Sequence, residues 1–94
     1  MIKHIVMWKF KPGTEKEMME FITGLRGLYG VIPQIKEQEV GIDCGVDGNY
    51  SAALVSVFES MEDLHTYKVD PRHVAVSSLC KAIREDRVCV DYEF

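Results

Sequence analysis

The chain has 94 residues, 47% of them hydrophobic and 28% charged, with a formal net charge of −4 at pH 7; this is the composition of one ordinary globular domain, residues 1–94, and it disfavours a polyanionic partner. The basic residues are scattered instead of forming a stripe, so no nucleic-acid surface is expected, and no apolar run reaches the length of a membrane span. The start Met1-Ile2-Lys3-His4 lacks a signal peptide's apolar region, which makes the cytoplasm the expected location.

From Ile2 to Lys11 the even positions read Ile2, His4, Val6, Trp8, Phe10 and the odd ones Lys3, Ile5, Met7, Lys9, Lys11. This alternation predicts a strand with one strongly apolar face and a second face that is apolar only in its middle. His4 shares the apolar face with Trp8, where a lone His is by default a hydrogen-bonded core residue. Pro12-Gly13 breaks the strand, and Thr14 with Glu17 forms the pattern of a capping box. The helix that follows turns Met18, Phe21, Ile22, Leu25, Leu28 and Tyr29 inward and ends near Gly30.

After Pro33, residues 35–43 predict a weaker edge strand, and the turn-rich Gly45-Val46-Asp47-Gly48-Asn49 leads into a buried strand over 50–58. Ser60, with Asp63 three residues on, opens a short helix to about Tyr67. Asp70-Pro71 starts another, to about Glu85, with Val76, Leu79, Ala82 and Ile83 inward and Ser77, Lys81 and Arg84 outward. A last strand, 87–94, alternates Val88, Val90, Tyr92 and Phe94 with Arg87, Cys89, Asp91 and Glu93.

The order β-α-β-β-α-α-β predicts an α+β, ferredoxin-like split βαβ fold: a four-stranded antiparallel sheet with helices on one face, first and last strands adjacent, second and fourth at the edges. The other sheet face then carries Ile5, Met7, Ala53, Val55 and Val57, an apolar surface that a second copy of the chain would cover, and a domain this small gains from such a partner. Cys44, Cys80 and Cys89 are odd in number and widely spaced, which reads as apolar filling, with no disulfide framework, no metal site and no cofactor motif.

The most suggestive polar residues surround the Asp70-Pro71 helix start. His73 falls in the first helical turn, where the helix dipole favours a neutral imidazole while the Asp70 charge opposes that effect, and Tyr67 lies just before the turn. The bland alternative is that Tyr67 closes a small core and His73 is solvated.

Taken in order, the strand Ile2-Lys3-His4-Ile5-Val6-Met7-Trp8-Lys9-Phe10-Lys11, the Phe58-Glu59-Ser60 strand end, the Tyr67…Asp70-Pro71-Arg72-His73 turn and the Val90-Asp91-Tyr92 run resemble the stress-responsive dimeric α/β-barrel family across the whole chain. The resemblance implies a homodimer whose two sheets form a barrel with the helices outside. One plant branch of that family, cofactor-independent polyketide cyclases, places its catalytic Tyr and His on Tyr67 and His73. Its pocket positions carry over to His4, Lys36 and Leu54, beside Trp8, with Asp91 in the matching Asp-Tyr pair. Leu25 stands where that branch has a Tyr, Ala52 where it has a His and Arg84 where it has a Trp, which argues against the same substrate. Two functions remain open: a non-catalytic, small-ligand-binding dimer, and a cofactor-independent cyclase or lyase acting by general acid/base chemistry on a small, largely apolar carbonyl compound through His73 and Tyr67.

Overall fold

The alternating amino-terminal segment forms a strand, β1 (Ile2–Phe10), in the computed structural model, which describes residues 1–94. Ile2, His4, Val6, Trp8 and Phe10 are all buried on one face, while Met7 and Lys9 on the other are exposed. Gly13, at φ +80°, turns the chain toward α1 (Glu15–Arg26). The capping box does not form: the Thr14 hydroxyl donates to the Lys11 carbonyl at 2.6 Å, so the turn rather than the helix takes that hydrogen bond. Helix α1 buries Phe21, Ile22 and Leu25 and stops earlier than its pattern predicts; Leu28 stays buried in the following turn. Tyr29 points outward instead of inward and donates its hydroxyl to the Lys36 carbonyl at 3.2 Å.

Strands β2 (Glu37–Ile42) and β3 (Ala52–Phe58) follow as a hairpin pair, each shorter than its pattern predicts. The Ser60 hydroxyl accepts the Asp63 backbone N–H at 3.1 Å and starts α2 (Met61–Val69), which is followed by α3 (Pro71–Lys81) and β4 (Arg84–Glu93). The four strands are antiparallel in the order β2-β3-β1-β4, a ferredoxin-like sheet with β2 and β4 at its edges, as the element order predicts.

The core lies between the sheet and the helices. Trp8 meets Phe21 edge-on at 5.0 Å, and Phe58 meets Tyr67 at 5.0 Å. Helix α1 approaches α3 at Gly24, where a Cβ would lie 3.1 Å from a Val76 methyl. That contact holds Val76 against the core, and Ile83, just past the helix, is buried, both as expected; the rotation of α3 otherwise differs from the expected one, with Cys80 buried and Leu79 and Ala82 exposed. The helix-free face of the sheet carries Ile5, Met7, Ala53, Val55, Val88, Val90 and Tyr92. Met7, Val88, Val90 and Tyr92 there are exposed, although Val57 on the same face is buried. No helix is long and apolar enough to cross a membrane.

Candidate functional site

Asp70 is at once the C-cap of α2 and the N-cap of α3. Its carboxylate accepts the Arg72 backbone N–H at 2.8 Å and two guanidinium N–H groups at 2.9 and 2.8 Å. Those Arg72 hydrogen bonds hold its carboxyl down at about 2, so the cap stays charged. Arg72 also donates to the Val31 carbonyl at 3.1 Å, which ties the corner to the turn after α1.

The corner folds Tyr67, in the last turn of α2, onto His73, in the first turn of α3, with ring centroids 4.3 Å apart and planes inclined by 45°. Nδ1 of His73 lies 3.1 Å from the Lys68 carbonyl oxygen, an acceptor only, so Nδ1 carries the proton and Nε2 keeps its lone pair. Burial lowers the His73 pKa more than the Lys68 carbonyl raises it, and the imidazole is neutral at pH 7. Burial pushes the Tyr67 phenol up to about 12, so it remains a proton donor.

A second imidazole comes from the sheet. His4 on β1 is paired in register with Asp91 on β4, both on the helix side, and His4 Nδ1 lies 2.5 Å from Asp91 Oδ1. Burial lowers the His4 pKa against the raising effect of Asp91. For Asp91 burial acts upward, but the His4 hydrogen bond and the Lys68 ammonium, 3.9 Å from Oδ2, outweigh it and leave the carboxyl lowered. The pair is therefore a neutral imidazole donating to a carboxylate, which frees Nε2 of His4 as an acceptor.

These groups line a cavity of about 40 Å³ between sheet and helices. His4, Val6 and Trp8 come from β1, Phe21 and Leu25 from α1, and Leu54 from β3; Tyr67 closes one side. Helix α3 supplies His73, Ser77 and Cys80, and β4 supplies Arg84 and Arg87. The space admits roughly two or three water molecules, well under the roughly 300 Å³ of a ready-made ligand pocket. Among the residues singled out from the sequence, His4, Trp8, Leu25, Leu54, Tyr67 and His73 meet here, and Asp91 joins through His4. Lys36 does not line the cavity; it is exposed, 3.4 Å from Glu59.

Sequence reasoning missed Cys80 and Arg87 and set Ser77 and Arg84 outward. Ser77 and Cys80 follow His73 by one and two helical turns, and Arg87 lies opposite Trp8 across the β1–β4 ladder. The ladder also brings Cys89 Sγ to 3.6 Å from His4 Nδ1 and 3.7 Å from Asp91 Oδ1. One nitrogen, one sulfur and one oxygen could hold a divalent cation such as zinc, a grouping that spacing along the chain does not reveal because it joins the two ends. The His4–Asp91 hydrogen bond and the Lys68 ammonium already engage two of the three donors.

The family model described as the stress responsive A/B barrel domain matches residues 2–94. The chain is 28% identical to olivetolic acid cyclase of Cannabis sativa over 95 residues, covering 97% of this chain and 94% of that protein. It is 27% identical to a stress-response A/B barrel domain-containing protein of Arabidopsis thaliana, covering 98% of this chain and 88% of that one. A solved structure from Bacteroides fragilis, described as a dimeric protein of unknown function with a ferredoxin-like fold, superposes with a TM-score of 0.89 at 32% identity, covering 99% of this chain and 95% of that one.

Proposed function

The chain belongs to the stress responsive A/B barrel family, and from that premise we propose that it works as a homodimer that takes a small carbonyl compound into the cavity beneath α3. The dimer forms through the helix-free sheet face. Met7, Val88, Val90 and Tyr92 leave a run of exposed apolar side chains on that face, the kind of surface a partner covers, and the similar Bacteroides fragilis protein is described as dimeric.

The observation that carries the binding site is the His73–Tyr67 pair: a neutral imidazole whose Nδ1 is tied to the Lys68 carbonyl, against a phenol that keeps its proton, both lining a cavity. Such a pair recognises a carbonyl compound by donation from the Tyr67 O–H to the carbonyl oxygen, with the apolar body against Trp8, Leu25 and Leu54. An occupant larger than a few waters enters by displacing side chains at the α3–β4 side, where Arg87 is exposed and Arg84 half-buried.

The anchored Nδ1 also favours a second reading, catalysis. Nε2 of His73 takes a proton from the carbon next to the carbonyl, the C–H electron pair becomes the C=C of an enolate, and Tyr67 donates a hydrogen bond to the oxygen as charge develops on it. Olivetolic acid cyclase is a relative whose named activity is compatible with such a step.

Binding is tested by titrating 2-hexanone while following the His73 imidazole and the Trp8 indole by NMR. Saturable shifts that are lost in His73→Ala support the site, and their absence at millimolar ketone overturns it. Catalysis is tested by exchange of the ketone's α-hydrogens with D₂O: exchange abolished in His73→Ala and only reduced in Tyr67→Phe supports it, and wild-type exchange no faster than buffer overturns it.

A further inference from the structure

We infer that the occupant of this cavity is an organic acid, a carbonyl compound whose carboxylate is held at the cavity mouth by Arg84 and Arg87. The inference rests on the carbonyl-binding reading above and adds the charge of the ligand.

The ion pairs of the chain are Lys36–Glu59, Lys68–Asp91 and Arg72–Asp70, beside the hydrogen bond from neutral His4 to Asp91. Neither Arg84 nor Arg87 has a carboxylate partner, yet both line the same cavity. Their position is set by the ladder: Arg87 lies opposite Trp8 and Arg84 opposite Phe10, with a register shift between them. Both therefore stand on the helix side of β4, on the face opposite the one proposed for the dimer.

The interior next to them has little negative charge to offer. Tyr67 keeps its proton, His4 and His73 are neutral, and the one carboxylate in reach, Asp91, is already shared between His4 and the Lys68 ammonium. Two guanidinium groups on a cavity whose lining contains no acidic side chain favour an anion, and their planar N–H pairs match a carboxylate. The cavity's size limits the rest of the ligand: a short carbonyl-bearing fragment enters beside Tyr67 and His73 by the side-chain displacement described above, with the acid group left at the rim.

The test compares 4-oxopentanoate with 2-hexanone, a neutral ketone of similar length, by NMR titration in 20 mM buffer. The expected result is that 4-oxopentanoate binds at least about tenfold more tightly, the order of one charge-assisted contact. The Arg84→Gln, Arg87→Gln double variant loses that preference and still binds 2-hexanone. Both side chains reach solvent, and unchanged thermal unfolding of the variant confirms its fold. Equal binding of the two compounds overturns the acid assignment and leaves the carbonyl site standing, as does a preference that survives in the double variant. If neither compound binds, the carbonyl reading fails and this inference with it.

Discussion

The two faces of the sheet come from the same strands and end in opposite states. On the helix side Ile2, Val6, Trp8, Phe10, Leu54 and Phe58 are buried within one chain. On the other face Met7, one residue over on β1, and Val88 and Val90, on the adjacent β4, are left 42%, 39% and 53% exposed. Because side chains alternate strictly across a strand, a single ladder builds both a finished interior and an unfinished one. The unfinished face is the assembly surface proposed above, and the polar cluster is packed into the finished one.

Substitutions sharpen this contrast. Trp8→Ala should be the most damaging, costing about 3–5 kcal/mol by denaturant unfolding, since the ring meets Phe21 edge-on and no neighbour can fill its volume. A loss under about 1 kcal/mol would mean that the helix side is not the tight interior described. Across the sheet, the Met7→Asp, Val90→Asp pair should weaken the proposed dimer by roughly a hundredfold or more, about 2.7 kcal/mol, while leaving the fold of each subunit intact. Light scattering that still reports a dimer at micromolar protein would move the interface elsewhere.

Within the polar cluster, Asp91→Ala leaves the buried His4 Nδ1–H without its acceptor and should cost about 1–3 kcal/mol. An unchanged melting temperature would show that the pair contributes nothing to stability. The pH profile gives a smaller effect. His4 and His73 both have folded pKa values below the usual 6.5, so as pH falls from 6.5 the unfolded chain binds protons that the folded one resists, and stability drops; Asp91 extends that loss at lower pH. At the alkaline end Tyr67 reverses the sense: its contribution is complete below pH 10 and lost toward pH 12. Thermal unfolding from pH 7.5 to 5 should show the acid decline, and His4→Phe should flatten it. The smallest effect belongs to Lys36→Ala, which removes an exposed ion pair with Glu59, should change stability by less than about 1 kcal/mol, and should leave ketone binding as it was.

Elements specified by local chemistry are the ones legible in the sequence. Strict alternation in β1, the Ser60 cap and the Asp70-Pro71 helix start appear where their residues place them, and the element order implies the sheet order. The rotation of α3 was not legible. Val74, Ala75, Val76, Leu79, Cys80, Ala82 and Ile83 spread apolar side chains nearly all round that segment, so periodicity permits more than one inward stripe. The choice falls to a contact distant in sequence, Val76 against Gly24, and it carries Ser77 and Cys80 to the cavity while Leu79 turns to solvent. Thr14 shows the same limit on a smaller scale: a capping-box pattern exists, but a nearer acceptor, the Lys11 carbonyl, takes the hydroxyl.

The double cap at Asp70 has a bearing on how the cluster assembles in time. Tyr67 and His73 are six residues apart and are brought together by one corner, so their contact closes only a short loop and costs little chain entropy. His4 and Asp91 are separated by 87 residues and meet only when the two ends of the chain have been zipped along the β1–β4 ladder. A partly folded chain can thus hold the phenol and one imidazole in place while the other imidazole still lacks its carboxylate. The His4–Asp91 hydrogen bond is then a late marker of folding, and only chains that have closed this long loop present the complete set of groups.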